Sequence, residues 1–281
     1  MPDRHALVLG GGGVAGIAWI TGLLTGLAAA GSDVTGADLL IGTSAGAAVA
    51  AQLGSGLPLG DLLARQTDPA RQAAEIPAEV DLAQLAAELG AELAGVTTPA
   101  EMLRRIGAYA VGADTVPEAA RRAVIESRLP AAYWPERALQ LTAIDVRTGE
   151  LRVFDRESGV ALIDAVAASC AVPGIWPAVT IGGRRYMDGG VRSADNADLA
   201  AGYAQITVVS PLGYDAPIPS PLPLRTVVGQ LRAGGAQVTV LVPDAASAAA
   251  MGANPLDPST RAPAARAGLA QGEAGLVPGR G

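Results

Sequence analysis

Two short apolar runs, Ala6 to Leu9 and Asp38 to Ile41, each break into a glycine-bearing turn that leads directly into a helical stretch. The first turn, Gly10 to Gly13, opens the segment Ala15 to Ala30; the second, Gly42-Thr43-Ser44-Ala45-Gly46, opens Ala45 to Leu53, closed by Gly54 and Gly56. A strand that passes at once into a helix can rejoin its sheet only by a crossover, so the repeat predicts βαβα order and a mostly parallel sheet covered by helices. The stretch Ala6 to Ser32 carries no charge, as a membrane span would. Its glycine run argues otherwise, because each glycine costs a helix interior about 1 kcal/mol. The residues before it also lack the positive charge of a signal peptide. A buried strand, turn and helix account for the segment. The expected location is therefore cytoplasmic, without signal peptide or transmembrane helix and at most peripheral to a membrane.

Leu57 to Arg128 has helical periodicity throughout, as in Asp81 to Leu93 and Pro99 to Tyr109, and no strand pattern interrupts it. This helical insertion reads equally well as the mouth of a pocket or as plain cover. Strand character returns at Ala138 to Val146 and Leu151 to Asp155, joined by a turn containing Gly149, followed by a helix at Ala161 to Ser169. Ala178 to Ile181 and Arg184 to Met187 form a second hairpin, which ends at Asp188-Gly189-Gly190. Ile206 to Ser210 and Val238 to Val242 complete the sheet. The expected organisation is a catalytic unit over 5–200 and strands over 201–245 belonging to the same α/β domain. An Ala/Pro/Gly-rich tail over 246–281 follows, with one helix near Thr260 to Gln271 and a frayed last ten residues.

A net charge of −7 argues against a nucleic-acid partner and leaves no polybasic patch for anionic lipid, so any membrane or micelle contact must be apolar. The single cysteine, Cys170, forms no internal disulfide, which favours a reducing compartment. It reads as a small buried residue.

A G-x-S-x-G after a short apolar strand is a nucleophile-elbow pattern, in which a tight turn lifts the serine hydroxyl above the sheet; here it is Gly42, Ser44 and Gly46. A serine alcohol needs a base, usually histidine. The only histidine, His5, precedes the first strand, whereas elbows sit at carboxyl ends, so roughly 13 Å of strand separates the two. If Ser44 is catalytic, a carboxylate must activate it. Asp188 stands out because it ends a strand and two glycines follow; Asp145 and Asp155 read as surface acids, Asp164 as a helix residue, and Asp195 with Asn196 as a helix cap. Gly11, Gly12 and Gly13 can aim backbone N–H groups at one spot, as an oxyanion requires. Gly11, Gly13 and Gly16 also spell G-x-G-x-x-G, but a dinucleotide site wants an acid at the end of the next strand, and Asp38 begins it.

Taken together, a glycine-rich loop (Gly11 to Gly16), G-x-S-x-G (Gly42 to Gly46) and D-G-G (Asp188 to Gly190) make the chain resemble the patatin-like phospholipases. A further block, Ala168-Ser169-Cys170-Ala171-Val172-Pro173, is similar to that family's A-S-x-A-x-P segment, and the resemblance covers residues 5 to 200. It implies a three-layer α/β/α fold and a lipid acyl hydrolase with Ser44 as nucleophile and Asp188 as its base. It implies no metal and no cofactor, and a lipid or other acyl ester as substrate. The family's loop usually carries Arg or Lys just before its last glycine, where this chain has Ala15. That departure bears on an anionic headgroup more than on hydrolysis. A carboxylesterase or thioesterase without phospholipid preference, or a non-catalytic lipid-binding member of the fold, are the alternatives.

Overall fold

The computed structural model describes residues 4–78, 81–214 and 220–275. Eight strands form one sheet: β1 (His5–Leu9), β2 (Leu39–Gly42), β3 (Ala138–Asp145), β4 (Leu151–Phe154), β5 (Val179–Ile181), β6 (Arg184–Asp188), β7 (Gln205–Val209) and β8 (Gln237–Leu241). They run in the order β5-β6-β3-β2-β1-β7-β8, with β4 also paired to β3. From β3 through β2, β1 and β7 to β8 every pairing is parallel. The two hairpins seen in the sequence supply the antiparallel partners, β4 and β6 on β3 and β5 on β6.

Among the described residues, ten helices accompany the sheet: α1 (Gly13–Ala29), α2 (Ala45–Leu53), α3 (Leu59–Thr67), α4 (Leu82–Glu92), α5 (Pro99–Gly112), α6 (Glu118–Arg128), α7 (Leu162–Ser169), α8 (Leu224–Ala233), α9 (Ala245–Met251) and α10 (Arg261–Glu273). The sheet is sandwiched because its central strands are apolar on both faces. Leu7, Leu9 and Leu40 pack with Trp19, Leu23, Ala47 and Ala264 on the side of α1, α2 and α10. Ala6, Val8, Leu39 and Ile41 pack with Leu224, Val227 and Leu231 of α8 on the other. Alternation along β1 thus builds two cores and three layers. Helices α3 to α6 occupy the expected insertion; Ile106 and Ala110 of α5 pack on Ile144 and Met187 of the sheet, so at least this helix is structural cover.

The periodicity of the sequence did not mark α8. A parallel β7–β8 pair nonetheless requires a crossover, and α8 provides it, starting after Pro223. The C-terminal stretch also differs from a loose tail. Gly22 and Gly26 of α1 meet the backbone of α10: a Cβ on Gly22 would lie 2.0 Å from the Ala265 carbonyl oxygen, and one on Gly26 would lie 2.2 Å from that of Leu269. Gly268 and Gly272 make the reciprocal approach to Trp19 and Leu23. The indole N–H of Trp19 donates to Gln271 Oε1 at 3.0 Å. Glycine in this segment reflects helix-on-helix packing at backbone distance. Of the ten residues expected to fray, Gly272 is buried and Glu273 is helical, while 276–281 lie outside the described residues. Among the described residues no helix is long and apolar enough to cross a membrane.

Candidate active site

β1 lies between β2 and β7, parallel to both, so the chain leaves its carboxyl end toward opposite sides. Such a switch point opens a crevice above the strand ends. The glycine loop after β1, the elbow after β2 and Ser210-Pro211 after β7 meet there. Thr43 N–H donates to Leu9 O at 3.0 Å and Gly46 N–H to Gly10 O at 3.0 Å, which stitches the elbow to the loop.

Ser44 sits at φ 54°, ψ −116°. Ser44 and Asn196 (φ 49°) are the only non-glycine residues with positive φ among those described, and both are in this crevice. Backbone strain of this kind costs about 1–3 kcal/mol and persists where its surroundings enforce it. The enforcing contact is the packing of α2 on β1. A Cβ on Gly46 would lie 1.9 Å from Leu9 O, so only glycine lets the helix start this close to the strand.

The segment after α7 holds the elbow from the other side. Ser169 Oγ accepts the Ser44 N–H at 3.0 Å, Cys170 Sγ donates to Ser44 O at 3.2 Å, and Ala171 O accepts the Asp188 N–H at 2.9 Å. Three consecutive residues therefore join Ser44 to Asp188. Cys170 is buried, and burial pushes its thiol up to about 12, so it remains neutral.

Asp188 ends β6 and is 3% exposed. Its Oδ1 accepts the Gly190 N–H at 2.7 Å, while Oδ2 is buried with no hydrogen-bond partner among the described residues. Burial raises its pKa to about 7; the Ser44 hydroxyl, which faces the carboxyl, and the Gly190 amide partly offset that rise. A carboxyl poised near neutrality beside an alcohol can take its proton. Among the described residues, no group of three or more His, Cys, Asp or Glu is placed to hold a metal ion.

The glycine loop divides its donors. Gly11 borders Ser44, with a Cβ on Gly11 falling 3.6 Å from that of Ser44, but its N–H already donates to Ala194 O at 2.9 Å. Gly12 and Gly13 N–H have no hydrogen-bond acceptor among the described residues, and Gly13 begins α1, so the positive end of the helix lies behind them. Gly16 faces Ala45 and Pro211 within the scaffold. The Ala15 side chain is fully buried, which leaves the loop without a cation of its own.

The other acids separate cleanly. Asp155 caps a short 3-10 turn and Asp164 pairs with Arg122 at 2.7 Å. Asp145 differs from the surface acid expected: it is 5% exposed, because its carboxylate accepts the Arg147 and Thr148 amides of the hairpin turn and pairs with Arg184. Neither Asp195 nor Asn196 acts as a side-chain cap. The Asn196 amide nitrogen reaches Thr43 Oγ1 (3.1 Å), Thr142 Oγ1 (3.3 Å), Gly189 O (3.2 Å) and Ser193 O (2.8 Å), tying the elbow, β3 and the turn after Asp188 together. Asp195 is 2% exposed beneath Gly10, its Oδ1 has no hydrogen-bond partner among the described residues, and burial raises it to about 7, a rise that nearby Ser210 partly offsets. Their positions follow from the left-handed turn at Asn196, which a cap-like sequence does not reveal. His5 lies at the opposite end of β1, against Thr207 at 3.0 Å.

The sequence model of the family described as "Patatin-like phospholipase" matches residues 7–201 of the 281. Curated protein sequences give no match. Among solved structures, the chain is similar to VipD from Legionella pneumophila, with 13% identity, a TM-score of 0.41, and coverage of 74% of this chain and 50% of that one. It is also similar to the type III effector protein ExoU, with 19% identity, a TM-score of 0.40, and coverage of 97% and 52%. The chain thus spans about half the length of either neighbour.

Proposed function

The chain belongs to the patatin-like phospholipase family, and on that premise we propose that it is a serine acyl hydrolase of lipid esters working through Ser44 and Asp188. The observation that carries this reading is the buried Asp188 carboxyl, raised to about 7 and faced by the hydroxyl of a serine held at positive φ. Asp188 accepts the hydroxyl proton as Ser44 Oγ attacks the ester carbonyl carbon. The N–H groups of Gly12 and Gly13 hold the resulting oxyanion, and Gly11, whose N–H is engaged by Ala194, shapes the loop. Loss of one such donor typically costs about 3 kcal/mol of barrier. The tetrahedral adduct then expels the alcohol, which takes the proton from Asp188. Water attacks the acyl-enzyme while Asp188 again accepts a proton, and return of that proton to Ser44 Oγ releases the acid. The unit proposed is the region 7–201, extended by β7, β8 and α10, which pack with it.

The buried Ala15, in place of the usual basic residue, favours a second reading in which a neutral ester is preferred to a phospholipid. Both are tested by comparing hydrolysis of a short-chain p-nitrophenyl ester with that of a dispersed phospholipid, for the native chain and for Ser44→Ala. Phospholipid hydrolysis abolished by the substitution supports the first reading, and ester hydrolysis alone supports the second. Activity unchanged in Ser44→Ala rejects both, and no activity on either substrate favours a non-catalytic lipid-binding role.

A further inference from the structure

Away from Ser44, a group of four charged side chains is buried. Arg121, Arg128 and Arg261 converge on Glu75, and each of the four side chains is at most 7% exposed. Arg128 grips the carboxylate with Nε at 2.9 Å and Nη2 at 2.5 Å, and Arg261 Nη2 adds a bond of 2.6 Å. Arg121 stands back, its Nη1 3.9 Å from Glu75 and its guanidinium 3.7 Å above the Trp176 ring. Its Nε and Nη1 are buried with no acceptor among the described residues.

Three cations therefore share one carboxylate. Guanidinium stays protonated in proteins, so the excess positive charge is permanent. Burial, with repulsion from Arg128, pulls Arg121 down to about 10, a measure of how poorly the cluster is compensated. The neighbouring Cys170 thiol, pushed up to about 12, supplies no negative charge. Each uncompensated buried ion typically costs several kcal/mol.

The anion that is present comes from an unusual place. Glu75 lies on the connection between α3 and α4, where Ala74 and Pro77 are exposed, its carboxylate reaches inward, and Ala73 O accepts the Arg261 Nη1 at 2.9 Å. The cavity beside it is about 10 Å³, room for a single water, and is lined by Gln52, Arg65, Gln66, Glu75, Arg128 and Arg261, so a larger anion enters only as the Glu75 carboxylate leaves. Planar arginine forks match the oxygens of a phosphate, and a tetrahedral anion offers more acceptors than the two oxygens of a carboxylate. We infer that Arg121, Arg128 and Arg261 form a binding site for a phosphate-type oxyanion, with Glu75 as its built-in occupant. An incoming phosphate takes the two forks and the free Arg121 N–H groups, and Glu75 turns outward on its own exposed loop. The site stands independently of the Ser44 chemistry.

The test is calorimetric titration and thermal unfolding of the whole chain with inorganic phosphate against chloride at matched ionic strength. In Glu75→Gln, phosphate should bind saturably and raise the unfolding midpoint. The native chain should bind about tenfold more weakly, because the internal carboxylate competes. Arg128→Gln added to Glu75→Gln should abolish binding. A folded Glu75→Gln chain that does not distinguish phosphate from chloride overturns the proposal. If Glu75→Gln does not fold in chloride, recovery of the fold in phosphate supports it. Without such recovery, the native chain decides: saturable phosphate binding lost in Arg121→Gln upholds the site, and its absence rejects it. A parallel titration with glycerol phosphate separates the sources, tighter binding indicating a lipid headgroup and equal or weaker binding a free phosphate.

Discussion

The Asn196 side-chain amide donates to Thr43 Oγ1 at 3.1 Å, so the residue before Ser44 is fastened to the loop that follows Asp188. Asn196 is fully buried and also serves Thr142, Gly189 and Ser193. Replacement by Ala strips several buried acceptors of their donor, each worth about 1–3 kcal/mol. Asn196→Ala is expected to lose about 3 kcal/mol in urea unfolding, and hydrolysis should fall at least about tenfold as the elbow drifts from Asp188. Native stability in this variant would remove the amide from its place as a joint.

Ser44 adopts backbone angles close to the first central position of a type II′ turn, where glycine is preferred. Ser44→Gly should therefore be more stable than Ser44→Ala by about 1 kcal/mol, the relief of strain exceeding the entropy glycine adds to the unfolded chain. Both should be inactive. Calorimetric midpoints measured side by side check the order, and equal midpoints would mean the angles cost nothing.

Asp188 and Asp195 are both raised by burial from 3.8 to about 7. Between these values the native state keeps protons that the unfolded chain has released, so the stability these two groups contribute is full below pH 3.8, falls as pH rises toward 7, and is lost above it. Asp195→Asn should reduce that slope by about half in urea titrations between pH 4 and 8. The proposed base must be ionised to work, so kcat/KM should rise with pH through an inflection near 7. Asp188→Asn should be inactive at every pH. A rate that is flat from pH 5 to 9 would exclude Asp188 as the base.

The α1–α10 seam admits no side chain at Gly22, where a Cβ would lie 2.0 Å from a carbonyl oxygen. Gly22→Ala must push α10 away from α1, at a cost of about 3 kcal/mol. Faster proteolysis within 261–275 and a lower unfolding midpoint are the expected readouts. Unchanged values would mean the seam is loose.

Local signals in this chain are strong where one strand meets one turn. Apolar runs buried on both faces, a glycine loop and G-x-S-x-G are complete within about fifty residues, so β1, α1, β2 and α2 are legible without any long-range information. The family resemblance implies Asp188 as the partner of Ser44, and burial raises the Asp188 carboxyl to about 7, a rise that the Ser44 hydroxyl partly offsets. Other roles depend on contacts far apart in sequence. Ser169 accepts from Ser44 across 125 residues, Asn196 donates to Thr43 across 153, and Gly11 gives its N–H to Ala194, which leaves the free donors to Gly12 and Gly13.

Periodicity and turn chemistry act over a few neighbouring residues, which is why the βαβα start, the two hairpins, the elbow and the lack of a histidine able to serve Ser44 can be read from the chain without its fold. Which carboxyls are buried, which loop amides are free, and the seam that glycines near the C-terminus make with α1 emerge from the packed layers alone. The same packing also brought two arginines of α6 and one of α10 around Glu75. Burial and hydrogen-bond partnership belong to the assembled layers, where the cost of an unpaired charge or a misplaced Cβ is set by backbone arriving from elsewhere in the chain.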